Sequence, residues 1–293
     1  MRVLIIGCGY VGVALGRELV SRGHEVHGLR RTASEELPEA GIKLVVGDVS
    51  EPGGLRGGTD YEWVVNCVSS SGGGVEGYHK TYVEGTKNIL EHFRMKSPVK
   101  FVYTSSTGVY GQTDGSEVDE RSPTEPEAET AKELVAAERL LLDASEEGRF
   151  PTIVLRVAGI YGPGRGYWLK QFLRGEARVE GLGERWINMV HRDDVAGTII
   201  AALERGKAAE VYNVVDDEPV TQLAMFKWLA KRFEREMPQG AEVTASGERK
   251  RGATNKRVSN RKLKRELGYA FRFPTFREGF GVLARGWEGE KKK

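Results

Sequence analysis

Ten tyrosines are spread through these 293 residues, and none has a lysine four positions after it. No phenol of this chain can therefore be matched to a lysine four residues on along a helix, the spacing at which a positive neighbour on the next turn lowers the phenol's pKa. Cysteine is nearly missing: Cys8 and Cys67 are the only two. They are too few for a disulfide framework or a metal cluster, they point to a reducing compartment, and small apolar packing is their default role. No apolar stretch approaches the roughly 20 residues of a membrane span. No charged-then-apolar leader precedes the first apolar run either, so the expected location is cytoplasmic, with no membrane partner. Neither sign of charge is in excess: 44 basic residues meet 42 acidic ones, a net charge of +2. That balance argues against nucleic acid as a partner. The basic run Arg249-Lys-Arg251, Lys256-Arg257 and Arg261-Lys-x-Lys-Arg265 has, around Leu263 and Leu267, the spacing of a helix's solvated face. No internal repeat is present.

What is present begins at the N-terminus. The apolar residues Val3 to Ile6 break into Gly7-x-Gly9-x-x-Gly12 and then into Val13, Leu15, Leu19 and Val20 at helical spacing. Strand, glycine turn and helix in that order make a dinucleotide site. Gly7 permits the tight turn, Gly9 lets a pyrophosphate approach the backbone, and Gly12 lets helix and strand pack closely, with the phosphates at the positive helix end. A second strand over residues 24–29 follows at βαβ spacing. Where a carboxylate would hold the ribose hydroxyls of NAD, the chain has Arg30 and Arg31, with no acid until Glu35. A guanidinium pairs with the 2′-phosphate that a carboxylate would repel, so the expected cofactor is NADP, with NAD left open. The other reading of the two arginines is a solvated strand end.

Further short apolar runs at 43–46, 63–68, 100–104 and 152–157 alternate with helical segments. That order predicts an α/β fold, a Rossmann doubly wound parallel sheet, with ligands gathered at the carboxyl ends of the strands. Asp48, after the third strand, can accept from an adenine amino group or simply make the turn with Gly47. The polar stretch 66–74 is a mobile loop or one that closes over a cofactor. Residues 111–129 are acidic, Pro- and Thr-rich, and read as an exposed loop before a helix over 131–142. The expected division is a Rossmann domain over residues 1–165, with a return segment near 190–215. A smaller substrate-binding part takes 166–189 and 216–293.

Five motifs then stand in a recognisable order: Thr104-Ser-Ser-Thr-Gly-Val-Tyr-Gly111, Leu155-Arg156 running to Tyr161-Gly-Pro-Gly164, His191-Arg-Asp-Asp-Val195, Val211-Tyr-Asn213 and Leu267-Gly268. Together they make nearly the whole chain resemble the extended short-chain dehydrogenase/reductases, the NAD-dependent epimerase/dehydratase group. The resemblance implies that Ser106 hydrogen-bonds the substrate oxygen. It also implies a nucleotide site built from Gly7, Gly9, Tyr10, Val11 and Gly12, from Arg30 and Arg31, from Asp48 and Val49, from Val68 and Ser69, and from Thr104. Tyr161, Arg165 and Arg185 are implied as substrate contacts, the arginines for anionic groups. The family's Tyr-x-x-x-Lys pair, counted back from the helix acid Glu138, falls on Thr130 and Leu134. Threonine does not ionise near neutral pH and leucine supplies no cation, while Lys132 points away from the Thr130 face. The chain is thus similar to the atypical branch of that family, and Thr130 is its remaining candidate for proton transfer beside Ser106. Tyr110 and Tyr161 are further candidate acids, with packing as their other reading; His79, His92 and His191 are weaker ones.

The function implied is an NADP(H)-dependent oxidoreductase or epimerase acting on a sugar-like small molecule that can be nucleotide-linked. The competing expectation is a non-enzymatic dinucleotide-binding sensor or scaffold. Dimers are common in the family, so a homodimer is open; no metal is expected.

Overall fold

The structure, a computed structural model, describes residues 1–56, 58–70, 72–241 and 254–290. Seven strands form one sheet: β1 Arg2–Ile6, β2 Glu25–Arg30, β3 Lys43–Val46, β4 Trp63–Asn66, β5 Lys100–Ser106, β6 Thr152–Val157 and β7 Glu210–Val214. All pairings are parallel, in the order β7-β6-β5-β4-β1-β2-β3. A parallel sheet is covered on both faces, which is why β4 and β6 are buried along their whole length and read as unbroken apolar runs. The helices α1 Tyr10–Ser21, α2 Gly85–His92, α3 Glu129–Glu146 and α4 Arg192–Arg205 supply the cover. α1 and α4 pack together, and α2 packs with α3. Strand order reverses between β1 and β4, which opens a crevice outside their carboxyl ends.

Strand and helix ends differ from expectation where side chains intervene. β4 stops at Asn66, because its Oδ1 accepts from Val68 N (3.1 Å) and turns the chain. β5 continues to Ser106, held in register with β6 through Ser105 opposite Arg156 and Ser106 opposite Val157. α3 extends beyond residues 131–142 at both ends. Part of the 66–74 loop is followed directly by helix from Gly74, with a π-helical segment over His79–Glu84 leading into α2.

Two apolar clusters are present. The larger surrounds the sheet; the smaller gathers Leu169, Phe172, Met225, Phe226, Phe276 and Phe280. Val258, Leu263 and Leu267 pack into the larger one, although they come late in the chain. The helix Arg261–Leu267 does present its basic residues outward around buried Leu263 and Leu267, as its spacing predicts. Arg249 to Arg251 lie outside the described residues. Lys256 departs from the expected solvated face: it precedes a short strand, Arg257–Val258, and is 3 % exposed.

Beneath the sheet's carboxyl end, a buried polar chain joins three elements. Arg156 on β6 donates to Glu138 Oε2 on α3 from Nη2 (2.8 Å) and Nε (3.1 Å), and from Nε to Oε1 (3.3 Å). It also donates to the Tyr110 phenol (2.9 Å), which donates in turn to Asn213 Oδ1 on β7 (2.8 Å). Ser105 donates to the same Glu138 carboxylate. Removing one partner of such a pair strands the other charge, so Arg156→Leu is expected to cost about 3–5 kcal/mol. Urea denaturation reads the loss, and a change within the range of an ordinary surface substitution would contradict it.

Candidate active site

At the end of β1 the chain turns through Gly7, whose φ is +76°. A Cβ there would lie 2.7 Å from Val68 N, so both conformation and the close approach of the β4 loop demand glycine. The turn is tied to β2, since the amides of Gly7 and Cys8 both donate to Leu29 O at 3.0 Å. A Cβ on Gly12 would meet Ile5 Cγ2 at 3.0 Å and Gly7 O at 3.2 Å, which is the close helix–strand contact expected of it. Gly9 differs. Its Cβ would meet nothing nearer than Gly7 O at 4.0 Å and would project into a cavity.

That cavity, of about 910 Å³, runs along the carboxyl ends of the strands. At one end it is bounded by Gly7, Gly9, Tyr10 and Val11, by Arg30 and Arg31, and by Asp48 and Val49. Val68, Ser69 and Thr104 line its middle. Gly12 stands behind the wall, as a packing residue. Arg30 donates to Ser34 Oγ (2.9 Å). Asp48 closes a turn on Ser50, accepting from its amide (3.0 Å) and hydroxyl (2.7 Å). Partial burial works to raise the Asp48 carboxyl, but these Ser50 bonds and the nearby Arg31 hold it below its ordinary value. Thr104 donates to Asn66 O (3.0 Å), fixing β5 against β4 at the cavity floor. The Tyr10 ring lies under two guanidinium groups, Arg165 at 5.5 Å and Arg192 at 5.1 Å, while its phenol donates to Pro163 O (3.0 Å). The glycine turn is thereby linked to the segment that carries Arg165.

Farther along, Ser106 is buried at the wall, and its Oγ accepts from Gly108 N (3.0 Å) to cap a 3-10 turn over Thr107–Val109. On α3, residues 130, 134 and 138 follow one another at four-residue spacing along one face. Leu134 reaches the cavity wall and Glu138 lies beneath it. Thr130, half-buried one turn earlier, is not part of the lining. Lys132 is directed to the surface and pairs with Glu129. Arg165 lines the cavity beside Tyr10, next to the glycine turn, while Arg185 lines it packed over the Trp168 ring at 5.5 Å and 3.6 Å from Glu180.

Tyr161 is placed otherwise than expected. It is 2 % exposed in the smaller core, edge-on to Phe280 and His191, and is not on the cavity wall. Its phenol is pushed above its ordinary value by burial, then by Asp216 and Asp194. Tyr110 is likewise internal, with its phenol bound between Arg156 and Asn213. His79 pairs with Glu133 and Glu84 near the surface; His191 is buried and accepts from Asp193 N. Trp168, Trp186, Asn188 and Lys256 are among the wall residues that carried no motif. They are contributed by segments without regular alternation, and Lys256 was masked by the basic run around it.

The chain matches the NAD dependent epimerase/dehydratase family over residues 3–215. With its seven-stranded parallel sheet, glycine turn and strand-end cavity, it belongs to that family. Among curated relatives, it is 27 % identical over 282 residues to Protein YeeZ of Escherichia coli strain K12, covering 93 % of this chain and 96 % of that one. It is also 27 % identical over 238 residues to a 2-alkyl-3-oxoalkanoate reductase of Stenotrophomonas maltophilia, covering 75 % and 72 %. Among solved structures, a protein of Methylobacillus flagellatus assigned to the NAD-dependent epimerase/dehydratases superposes with a TM-score of 0.78 at 32 % identity, over 98 % of both chains.

The geometry separates the roles of Gly7 and Gly9. Gly9→Val places a side chain in open cavity where the pyrophosphate would lie, whereas any side chain at Gly7 collides with backbone. Nucleotide at 100 times its Kd stabilises a binding protein by about 2.7 kcal/mol. The wild type should show that stabilisation in thermal melts with NADP(H), and Gly9→Val should melt like the unliganded wild type with or without it. A Gly9→Val protein stabilised as much as wild type would place the phosphate site elsewhere.

Proposed function

We propose that this protein is an NADP(H)-dependent oxidoreductase or epimerase acting on a sugar-like, nucleotide- or phosphate-bearing substrate, with a non-standard active site. The observation that carries this reading is the charge of the cavity wall. Arg30, Arg31, Arg165, Arg185 and Lys256 line it against Asp48 alone, among the described residues, in a chain whose overall net charge is +2. Five cations along one cleft suit a ligand with several anionic groups. Arg30, Arg31 and Arg165, which lies over Tyr10, support a dinucleotide at the glycine turn, and Arg185 and Lys256 support a second anionic ligand beyond Ser106. The oxoalkanoate reductase among the relatives adds support for carbonyl reduction.

NADP(H), when bound, would carry the hydride. It would be held by Gly7, Gly9, Tyr10 and Val11 at the pyrophosphate, by Arg30 or Arg31 at the 2′-phosphate, and by Val68, Ser69 and Thr104 along the floor. Ser106 would hold the reacting oxygen, its own oxygen fixed by the Gly108 amide. Leu134 puts an apolar side chain where the family's ammonium would stand. No activated phenol is then available, and Thr130, off the wall, has at most an indirect part in moving the proton.

Two outcomes follow for the cofactor. NADP(H) should bind more tightly than NAD(H) in calorimetry, and Arg30→Asp should reduce or invert the preference. Equal affinities in the wild type would remove the arginines from recognition.

For the chemistry, turnover of NADPH is measured against a panel of 3-oxo acids, simple ketones and sugar nucleotides. Ser106→Ala should lower kcat roughly 100-fold through loss of a hydrogen bond to the reacting oxygen, and Thr130→Val only slightly. Thr130→Val as damaging as Ser106→Ala would make the threonine an essential relay. Tight NADPH binding with no turnover of any substrate would favour the sensor.

A further inference from the structure

We propose that Lys256 anchors an anionic oxygen group, a carboxylate or a phosphate, carried by the substrate close to its reacting carbon. The inference rests on the cavity being a dinucleotide-and-substrate site, and it adds a recognition residue that neither motif nor spacing supplies.

Lys256 is 3 % exposed, yet it lines the cavity. Its ammonium donates to Tyr110 O (2.8 Å) and Thr254 Oγ1 (2.9 Å), both neutral oxygens. No carboxylate pairs with it among the described residues. The charged groups around it are engaged elsewhere. Arg156 and Glu138 pair with each other, Glu120 accepts from Asn213 N, and Arg185 faces Glu180. Arg257, the next residue, turns the other way, donating to Gly115 O and packing over the Trp186 ring. An ammonium has three protons to donate. With two bonds to neutral oxygens and no counter-ion among the described residues, its charge is left without an ionic partner there, and burial holds its pKa down at about 8. A buried cation whose only missing partner is an anion, on the wall of a ligand cavity, is arranged for an anionic ligand.

Its position relative to the chemistry follows from the same contacts. Tyr110 directly follows the 3-10 turn that Ser106 caps. Four residue steps separate Ser106 from Tyr110, roughly 8 Å of 3-10 rise. Ser106 therefore presents its hydroxyl at one end and Lys256 is tethered to the carbonyl at the other. Asn188, also on the wall, locks the lysine's backbone from both sides, donating to Lys256 O (2.9 Å) and accepting from Val258 N (2.8 Å). A substrate oxygen on Ser106 and an anionic group on Lys256 would thus belong to neighbouring atoms of one small molecule.

The test is an NMR titration of the full chain carrying lysine labelled with carbon-13 at Cε. The Lys256 signal is identified by its loss in Lys256→Met and, independently, in Lys256→Gln. Its midpoint is expected near 8 in the unliganded protein. Oxalate or inorganic phosphate should raise that midpoint by about one unit or more, because an adjacent anion favours the charged form. Oxamide, the uncharged counterpart of oxalate, should not. By calorimetry, affinity for the effective anion should fall about tenfold in Lys256→Gln, which keeps an N–H for the Tyr110 carbonyl. NADP⁺ affinity should stay the same. Oxalate alone producing the shift assigns a carboxylate, and phosphate alone assigns a phosphate. No shift with either anion, or equal anion affinity in wild type and Lys256→Gln, overturns the proposal. The titration is run with and without NADP⁺, so a wild type that fails to bind the nucleotide would sink the cofactor reading while the lysine is still decided.

Discussion

The contact between Arg156 and Glu138 fixes more of this molecule than any other single pair. Both side chains are almost completely shielded from water, and each is satisfied by more than its partner: Glu138 also accepts from Ser105, and Arg156 also donates to Tyr110. Two charges in a low-dielectric interior are tolerated only in such a saturated arrangement, so the elements that carry them have little freedom to shift. Ser106 is the neighbour of Ser105, Leu134 is one helical turn from Glu138, and Lys256 is bound to the carbonyl of Tyr110. The part of the cavity wall that carries Ser106 and Leu134 is therefore positioned by a buried ion pair.

That arrangement explains how the fold can persist while the Tyr-x-x-x-Lys positions do not. α3 is held over the sheet by Glu138 and by buried Ala131, Leu134, Ala137 and Leu141, and none of these depends on a phenol or an ammonium at the cavity. Leu134 packs into the core and presents an apolar side chain to the cavity wall, to which Lys256 contributes a positive charge.

The cavity's charge is a tertiary property with no counterpart in composition. Basic and acidic residues nearly cancel over the chain, and many acids are spent in surface pairs such as Lys43–Glu25, Lys96–Asp60 and Lys262–Glu210. Among the described residues the cleft keeps one carboxylate, Asp48, which is turned onto Ser50. Field lines in a low-dielectric cleft are focused by such an imbalance, so local charge, not net charge, governs what can enter.

The nucleotide end of the site was legible in the chain because it is local. A glycine at +76° packed on Val68, an open Gly9 and a tight Gly12 fall within six consecutive residues, and their steric demands are written in that spacing. The parallel sheet was legible for a similar reason, since strands covered on both faces are continuous apolar runs. Even the absence of a usable phenol–ammonium pair is a matter of counting along one helix. The fate of Tyr161 and Lys256 is not local. Each is decided by segments more than a hundred residues away, Phe280 against Tyr161 and Tyr110 against Lys256. Side-chain type and spacing set what a residue can do, but burial and the company of distant side chains set its charge. Only the folded chain therefore makes one tyrosine a core residue and one lysine of a basic run a partner-seeking cation.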